Sequence, residues 1–262
     1  MKKEVLIIIP AYNEAKTIEA LLEELEKTEI SEIADVLIMN DASKDGTQFI
    51  CRKRGHHVIT HVFNLGYGSG LQVGYKYAIR RKYKYVIQMD ADGQHDASNV
   101  LKIYESLITK DENGACPDIV LGSRFLEGAE GFSISGIKKI AIGFFRALIK
   151  NTTGVKISDP TSGLQGLSKR AVWYYSKYKH FDDKYPDANM LTQMLLLGFN
   201  VKEIPAIMHD RSEGTSMHTG LIKQGIYMVR MVFSIIAVLV RVISFKIDKE
   251  IFTEYEQIEG MQ

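Results

Sequence analysis

Three oxygen-bearing side chains stand on alternate positions in the stretch YVIQMDADGQHD, which runs from Tyr85 to Asp96. They are Asp90, Asp92 and Gln94, and they follow an apolar run typical of a buried strand. Alternate residues of a strand point to one face, so the three are expected to converge at its carboxyl end. Two neighbouring carboxylates repel each other unless a cation or a proton lies between them. Because carboxylate and amide oxygens suit Mg²⁺ or Mn²⁺, the triplet predicts a divalent-metal site.

The position of this triplet in the fold matters, because an Asp-Xaa-Asp sequence alone also fits a solvated turn. Three further polar clusters follow predicted strands: PAYNE after the first, NDASKDGT after the second and NLGYG after the third. In an open α/β sheet, ligands bind beyond the carboxyl ends of the strands. Each cluster by itself is compatible with ordinary turn chemistry. The four together indicate a ligand site at that edge.

The elements that would position these clusters alternate between strand and helix. This pattern predicts an α/β fold with a single Rossmann-like, mostly parallel sheet flanked by helices. The predicted strands are Val5–Ile9, Val36–Met39, Val58–Phe63, Tyr85–Met89 and Asp118–Leu121, with a later strand in DPTSGLQGLSK. The predicted helices are 15–28, 47–55, 70–82, 97–110, 137–151 and 187–197. The glycine-rich stretch 124–136 is expected to be a loop that closes over a ligand.

The composition limits the class of protein. With 262 residues, 45% hydrophobic and 25% charged, the chain is typical of a globular protein with a sizeable core. A formal net charge of +1 gives no overall attraction for nucleic acid, and no such partner is expected. Cys51 and Cys116 lie far apart, so neither a disulfide framework nor a cysteine metal site is expected, which fits a reducing cytoplasm.

The last segment, 220–249, is predicted to be an apolar helix with one narrow polar stripe. Its uncharged run, 231–240, is shorter than the roughly 20 residues of a membrane span, which argues against a simple span. The helix either packs on the domain or another subunit, or lies in a membrane surface with its cations toward lipid phosphates or against a membrane partner. The stripe consists of Lys223, Arg230, Ser234, Arg241 and Asp248.

A glycine cluster in NLGYGSGLQVG imitates a dinucleotide-binding fingerprint. Gly66, Gly68 and Gly70 follow a strand and open a helix, but the third glycine of the fingerprint would fall at Leu71. The preceding strand is also the third rather than the first, so a nicotinamide or flavin enzyme is not favoured. The glycines either bring backbone amides close to a ribose or phosphate, or form a tight strand-to-helix turn.

Cationic residues come later in the chain. Arg124 stands in GSRF, Lys138 and Lys139 follow the glycine-rich loop, and Arg211 stands in HDRSEGTSMH. The planar guanidinium group of arginine suits phosphate oxygens. For Arg211, a surface ion pair with a neighbouring acid is the alternative interpretation.

Seven segments, in this order, resemble the family 2 inverting glycosyltransferases with a GT-A fold. They are IIIPAYNEA, NDASKDGT, NLGYGSGLQVGYKYA, IQMDADGQHD, VLGSRF, DPTSGLQGLSK and RSEGTS. The likeness is greatest to the dolichyl- and polyprenyl-phosphate sugar synthases. It implies a GT-A glycosyltransferase domain at 1–218 and a C-terminal amphipathic helical extension with a tail at 219–262. The sole tryptophan, Trp173, lies outside any Gln-Xaa-Xaa-Arg-Trp motif, so processive polysaccharide synthesis is not expected.

The resemblance also implies roles for individual residues. Asp41 would read the base of a nucleotide sugar, and Asp92 and Arg211 would act in catalysis. The remaining donor contacts would come from Pro10, Tyr12, Glu14, Gly66 and Gly70. The ion, Mg²⁺ or Mn²⁺, would be held on the diphosphate by Asp90, Asp92 and Gln94. Cations around the diphosphate and the acceptor phosphate would be Arg124, Lys138 and Arg211.

By this resemblance, the expected reaction moves a sugar from a UDP- or GDP-linked donor to a polyprenyl phosphate at the cytoplasmic face of the cell membrane, in cell-wall polysaccharide synthesis. A small membrane partner protein and a homo-oligomer are further expectations. One alternative is extension of a glycan hydroxyl, with Asp187 as the base; Asp187 is equally interpreted as an acid at a helix N-terminus. A second alternative is a catalytically inactive nucleotide-sugar binding module.

Overall fold

The computed structural model describes residues 3–131, 136–210, 221–244 and 255. Seven strands form one sheet: β1 Val5–Ala11, β2 Ala34–Asn40, β3 His57–Thr60, β4 Tyr85–Gln88, β5 Ile119–Ser123, β6 Gln165–Ser168 and β7 Val201–Pro205. Their order across the sheet is β3-β2-β1-β4-β6-β5-β7. β6 runs antiparallel to β4 and β5, whereas the other pairings of these strands are parallel. The predicted mostly parallel sheet is confirmed.

Helices cover both faces of the sheet. They are α1 Ile18–Leu25, α2 Thr28–Ser31, α3 Thr47–Lys53, α4 Tyr67–Arg81, α5 Asn99–Ile108, α6 Gly136–Thr153, α7 Lys169–Ser176, α8 Ala188–Leu196 and α9 Leu221–Leu239, which continues as a π-helical turn over Val240–Ser244. The domain boundary predicted at 218 falls in 211–220, outside the described residues, and stays a prediction.

The core is divided by the sheet into two apolar layers. In β1, Leu6 and Ile8 pack into the layer that contains α4, α7 and α8. Val5, Ile7 and Ile9 pack into the opposite layer, with α1, α3 and α5. All five side chains are buried, and each contributes roughly 1.5–3 kcal/mol relative to an exposed position. The sheet is therefore a stable platform for the loops at its carboxyl edge.

Three elements, the single turn α2 together with α7 and β7, were not predicted from the sequence. In α7, the five residues from Ala171 to Tyr175 are all buried, so the helix lacks the one-sided apolar period that marks an amphipathic helix. It begins at a side-chain cap, where the Ser168 hydroxyl accepts a 3.3 Å hydrogen bond from the amide of Ala171. β7 carries few apolar residues, and its pairing with β5 is what makes it a strand.

Some predicted boundaries were wrong for local reasons. β3 ends at Thr60, and Val62 and Phe63 beyond it are 84% and 72% exposed. The helix predicted from residue 15 begins at residue 18, and before it the amide of Ala15 donates to Asp45 Oδ2 in the neighbouring loop (3.0 Å). The residues at the predicted end of β3 and at the predicted start of α1 thus belong to loops.

Candidate active site

The acidic triplet lies on the turn after β4 rather than on the strand itself. β4 ends at Gln88, and Gly93 turns the chain with a φ of +77°. The strand alternation that predicted a common face was therefore wrong for these residues. The turn is closed by a 3.1 Å hydrogen bond from the amide of Gln94 to Asp92 Oδ1. The side chain of Asp90 is 32% exposed, whereas Asp92 is buried.

These residues fit a hard divalent cation. Two carboxylates and a carboxamide supply oxygen ligands of the kind that Mg²⁺ and Mn²⁺ prefer. Within the described ranges, no group of three or more His, Cys, Asp or Glu side chains is arranged as a metal cluster. An ion at Asp90, Asp92 and Gln94 would therefore complete its shell with water and ligand oxygens. Such a partial protein shell is typical of Mg²⁺ sites that bind a substrate phosphate.

A buried chain of hydrogen bonds supports Asp90 from behind. The phenol of Tyr67 donates to Asp90 Oδ1 (2.9 Å), and Gln88 Nε2 donates to the Tyr67 oxygen (3.0 Å). Tyr75 in turn donates to Gln88 Oε1 (2.5 Å). Burial, together with the charge of Asp90, raises the pKa of Tyr67 well above its usual value, so the phenol stays protonated as a donor. This chain fixes the orientation of the carboxylate.

Asp41 joins two loops at the same edge. His61 Nδ1 lies 2.9 Å from Asp41 Oδ1, and the amides of Leu65 and Gly66 donate to the same carboxylate, each at 2.8 Å. A carboxylate offers about four acceptor positions, so the chain itself takes most of them. Asp41 therefore orders the loop between β3 and α4. Its contact with a base stays a prediction.

The other predicted donor-binding residues lie on loops that hold each other in place. Tyr12, which follows β1, is 45% exposed at the edge of the sheet, and Pro10 lies within β1. The amide of Glu14 donates to Thr47 Oγ1 (2.9 Å), which ties the loop after β1 to the start of α3. Their contacts with a donor stay predictions.

The glycine cluster forms a tight turn at the start of α4. Gly66 has a φ of +97°, and its amide is engaged with Asp41. A Cβ atom on Gly68 would lie 2.1 Å from the carbonyl oxygen of Asp182, so only glycine permits this approach. The amide of Gly70 donates within α4 to Gly66 (3.2 Å). The turn interpretation describes the contacts that are seen, and the predicted donor contacts of Gly66 and Gly70 stay predictions.

Arg124 is held by a buried ion pair at the end of β5. Its Nε and Nη2 each donate at 2.7 Å to the two oxygens of Asp159, a fully buried carboxylate. Thr161 Oγ1 accepts a further bond from Nη2 (3.0 Å). Burial lowers the pKa of Arg124, but the bonds and the charge of Asp159, with Asp187 and Asp90 nearby, raise it overall. The guanidinium is thus a permanently charged group in a fixed orientation.

Two predicted cations are not located by the structure. The backbone of Lys138 lies in α6, but its side chain and all of Arg211 fall outside the described residues. Their assigned roles stay predictions.

Asp187 is the residue before α8, but its side chain makes no helix-cap hydrogen bond. Its Oδ2 instead accepts a 2.7 Å bond from the phenol of Tyr227 on α9. Burial raises the pKa of Asp187 from 3.8 to about 6; the charges of Asp90 and Asp182 add to this rise, and Tyr227 and Arg124 oppose it. The carboxylate therefore does not cap α8 through a side-chain hydrogen bond, although Asp187 stands at the helix N-terminus, and its role as a base stays a prediction.

The side of α9 that faces the domain carries buried apolar residues, among them Met231 and Ile235, together with the polar residues Ser234 and Arg241. Ser234 accepts a 2.7 Å bond from Asn189 Nδ2, and Arg241 donates to the carbonyl oxygen of Lys179 (2.8 Å). Packing of the helix on the domain, one of the two predicted arrangements, is confirmed; Arg230 of the stripe is exposed, and contact of the stripe cations with lipid phosphates stays a prediction. Residues 225–242 are long and apolar enough to cross a membrane, by length and composition alone. The uncharged run 231–240, on which the sequence prediction was based, is shorter than this apolar stretch. The outward side chains are Ile226, Val229, Phe233, Ile236 and Val240.

Three residues of this site were not singled out from the sequence. Tyr67 stands inside the glycine cluster, and Asp159 stands in the segment DPTSGLQGLSK. Both segments carry sequence signals, so a hydrogen-bond partner for Asp90 and an acidic partner for Arg124 could have been sought there. Tyr227 offers no local signal, because it reaches Asp187 only when α9 folds back on the domain.

The sequence model of Glycosyl transferase family 2 matches residues 6–175, a stretch that contains the acidic triplet, Arg124 and Asp159. The chain belongs to this family. This family 2 chain is 27% identical, over 229 residues, to the undecaprenyl-phosphate mannosyltransferase of Micrococcus luteus, covering 82% of this chain and 88% of that protein. It is 25% identical, over 227 residues, to the polyprenol monophosphomannose synthase of Mycolicibacterium smegmatis, covering 82% and 81%.

A solved structure supports the fold of this family 2 chain. Glucosyl-3-phosphoglycerate synthase from Mycobacterium tuberculosis, crystallised with Mn²⁺, UDP and phosphoglyceric acid, superposes with a TM-score of 0.65. The two are 16% identical, and the match covers 91% of this chain and 78% of that one. The predicted GT-A fold is confirmed, together with the C-terminal apolar helix.

Proposed function

We propose that this protein transfers a sugar, with inversion, from a nucleoside diphosphate sugar to the phosphate of a polyprenyl phosphate, and that it does so at a membrane surface. The observation that carries the proposal is the Tyr67-supported acidic turn of Asp90 and Asp92 beside a helix whose apolar side faces outward. Family membership and the two relatives named for polyprenyl phosphates support the same reaction.

In the proposed reaction, an oxygen of the acceptor phosphate attacks the anomeric carbon from the face opposite the leaving group. The bond from that carbon to the nucleoside diphosphate breaks, its electron pair stays on the diphosphate, and the configuration inverts. A phosphate monoester is largely dianionic at about pH 7, because its second pKa is about 6, so this acceptor requires positioning rather than deprotonation.

The chain supplies charge and orientation for the departing diphosphate. Mg²⁺ or Mn²⁺ held by Asp90, Asp92 and Gln94 would contribute Lewis-acid stabilisation of that group. Asp159 fixes the guanidinium of Arg124, which offers a positive charge that needs no reorganisation as the reaction proceeds. The structural neighbour was crystallised with both Mn²⁺ and UDP, which supports this proposal.

Two adjoining hollows beside α9 suit an amphiphilic acceptor. A cavity of about 430 Å³ between α9 and the loop before α8 is lined by aromatic rings and by Lys184 and Arg230, as well as Asp182 and Asp183. An apolar groove of about 230 Å³ lies between α6 and α9. Phe233 borders both. A lipid chain in the groove would place a charged headgroup near the cavity.

The outward face of α9 supports a location at the membrane. Five large apolar side chains of this helix are exposed, and their burial in the lipid interface would lower the free energy. The contacts of Ser234 and Arg241 hold the helix along the domain, which favours a helix lying in the interface over one that crosses it. The cytoplasmic face, a small membrane partner and a homo-oligomer stay predictions.

A second candidate function is favoured by Asp187. An acceptor hydroxyl needs a general base, and such a base works best when its pKa lies near the working pH. Burial raises the pKa of Asp187 to about 6, toward that range. Transfer to a glycan hydroxyl is therefore the alternative to be separated by experiment.

The purified full-length protein would be incubated with undecaprenyl phosphate in detergent, Mn²⁺ or Mg²⁺, and UDP-glucose, UDP-N-acetylglucosamine or GDP-mannose in turn. We expect one donor to give a lipid whose mass equals the acceptor plus one sugar residue. We also expect the reaction to stop with EDTA and to be lost in Asp92→Asn. Transfer to an oligosaccharide but not to the lipid phosphate would support the second candidate. If none of the nucleotide sugars is turned over, the result would favour the catalytically inactive nucleotide-sugar binding module.

A further inference from the structure

Polar residues of α9 recur every seven positions on the side that faces the domain. Seven residues are close to two helical turns, so Tyr227, Ser234 and Arg241 lie along one face. Each contacts the same segment of the catalytic domain, residues 179–189. The contacts are Tyr227 to Asp187 Oδ2 (2.7 Å), Asn189 Nδ2 to Ser234 (2.7 Å) and Arg241 to the carbonyl oxygen of Lys179 (2.8 Å).

The other side of this segment lies against the start of α4. The amide of Ser69 donates to the carbonyl oxygen of Asp183 (3.0 Å), and Gly68 approaches Asp182 so closely that no Cβ fits. Tyr67, the first residue of α4, holds Asp90. Segment 179–189 is therefore clamped between the element that orients the acidic turn and the C-terminal helix.

Tyr227 is the residue of α9 that contacts the Asp187 carboxylate. Asp187 makes no helix-cap bond that would fix its carboxylate, although it stands at the N-cap position. The groups that act on this carboxylate are Tyr227 from α9, Asp90 and Arg124 from the sheet edge, and Asp182 from its own loop. Tyr227 also lines the cavity of about 430 Å³ beside the site.

We propose that Tyr227 is a positioning residue that orients the Asp187 carboxylate for sugar transfer, so that the C-terminal helix completes the active site rather than serving only as an apolar surface. This inference rests on the proposed glycosyl transfer, and within it on the second candidate function, because that candidate gives the Asp187 carboxylate a chemical role as the base for an acceptor hydroxyl. It assigns α9 two separate tasks on its two sides. The side that carries Tyr227 acts on the reaction, and the outward side acts on the membrane.

The test compares Tyr227→Phe with Tyr83→Phe in the detergent assay with an oligosaccharide acceptor, in which membrane attachment plays no part. The two variants are matched, because Tyr83 also donates from a phenol to a carboxylate, Asp35 Oδ2 (2.6 Å), at the opposite end of the sheet. We expect Tyr227→Phe to lower kcat about 10-fold with little change in the donor KM, since a misplaced group affects the transition state most. Tyr83→Phe should keep the wild-type kcat.

A double-mutant cycle shows whether Tyr227 acts through Asp187. In an Asp187→Asn background, Tyr227→Phe should cause little further loss, because the carboxylate that it orients is absent. Additive losses would overturn the inference, and so would a kcat in Tyr227→Phe that matches the Tyr83→Phe control.

Hydrogen exchange provides a second readout that needs no turnover. Amides of residues 182–191 should exchange about 2- to 10-fold faster in Tyr227→Phe than in the wild type and the Tyr83→Phe protein, as loss of one net hydrogen bond predicts. Failure of every donor to react, with this faster exchange, would reject the proposed transfer but keep the positioning contact. Unchanged exchange in 182–191 would reject the positioning role.

Discussion

Tyr67 and Asp90 are joined by a 2.9 Å hydrogen bond between a buried phenol and a carboxylate that stands at the carboxyl edge of the sheet. The bond comes from the start of α4, whereas Asp90 follows β4, so two separate elements determine where the carboxylate points. Gln88 and Tyr75 continue the chain into the core. The proposed metal site is thus supported by groups that would not touch the ion.

Removing the phenol of Tyr67 is expected to weaken metal binding. Loss of an outer hydrogen-bond partner typically costs about 10-fold or more in affinity, so Tyr67→Phe should raise the Mn²⁺ concentration for half-maximal activity by about 10-fold. A Mn²⁺ titration of donor turnover measures this. Tyr178→Phe, at a side chain that is 77% exposed, is the control. An unaltered Mn²⁺ requirement in Tyr67→Phe would show that the phenol does not act on the site.

Asp159→Asn is expected to destabilise the fold by about 3–5 kcal/mol, because it leaves the guanidinium of Arg124 without its buried partner charge. Urea unfolding monitored by circular dichroism gives the change in the free energy of unfolding. Glu23→Gln removes a carboxylate paired with Arg54 that is 59% exposed, and it should cost less than about 1 kcal/mol. Equal losses in the two variants would mean that the Arg124 pair is effectively solvated.

Asp187→Asn is expected to raise stability in the metal-free protein above about pH 6. The folded-state pKa of about 6 lies above the ordinary 3.8, so the folded protein holds this proton more tightly than the unfolded chain does. The ionised carboxylate therefore costs stability at neutral pH, by up to about 3 kcal/mol for a shift of this size, and costs nothing below about pH 4.

Thermal unfolding of the wild type and Asp187→Asn across this pH range measures that cost. The gap between the two proteins should close as the pH falls from about 6 to about 4. Glu112→Gln, at an exposed carboxylate, should show no such trend. A constant gap at all pH values would place its origin in packing rather than in ionisation.

The outward face of α9 is expected to bind lipid. Serine at both Ile226 and Ile236 should weaken attachment to phosphatidylglycerol-containing vesicles by about 10-fold or more, because each apolar side chain is worth roughly 1.5–3 kcal/mol on burial. Vesicle sedimentation measures the bound fraction. Phe49→Ser is the matched control, since Phe49 is 71% exposed on α3, which packs on the opposite face of the sheet. Comparable binding of both variants would assign membrane contact to another surface.

The sequence predicted the sheet and the edge at which the site lies, because short β-branched runs and the polar clusters after them are local signals. Asp90, Asp92 and Asp41 were found for that reason. The supporting residues were harder to find, since their roles depend on contacts between distant parts of the chain. Asp187 and Tyr227 are 40 positions apart, and their bond exists only because α9 packs on α8.

The orientation of α9 on the domain could likewise not be predicted from the sequence pattern. A helical projection shows which residues share a face, but it does not show which face meets the domain. Ser234 and Arg241 form hydrogen bonds with residues in segment 179–189, and these bonds show which face of α9 meets the domain. Two residues of the polar stripe, Ser234 and Arg241, bind the protein, whereas Arg230 of the same stripe is exposed.

Crystals of the full-length protein soaked with UDP or GDP and Mn²⁺ would test the central claim most directly, through the anomalous scattering of manganese. We predict one anomalous peak, from a manganese ion that is bonded to oxygens of Asp90, Asp92 and Gln94 and to the diphosphate of the nucleotide. A bound nucleotide with its manganese elsewhere, or with these three side chains turned away from its diphosphate, would contradict the proposed metal-assisted transfer.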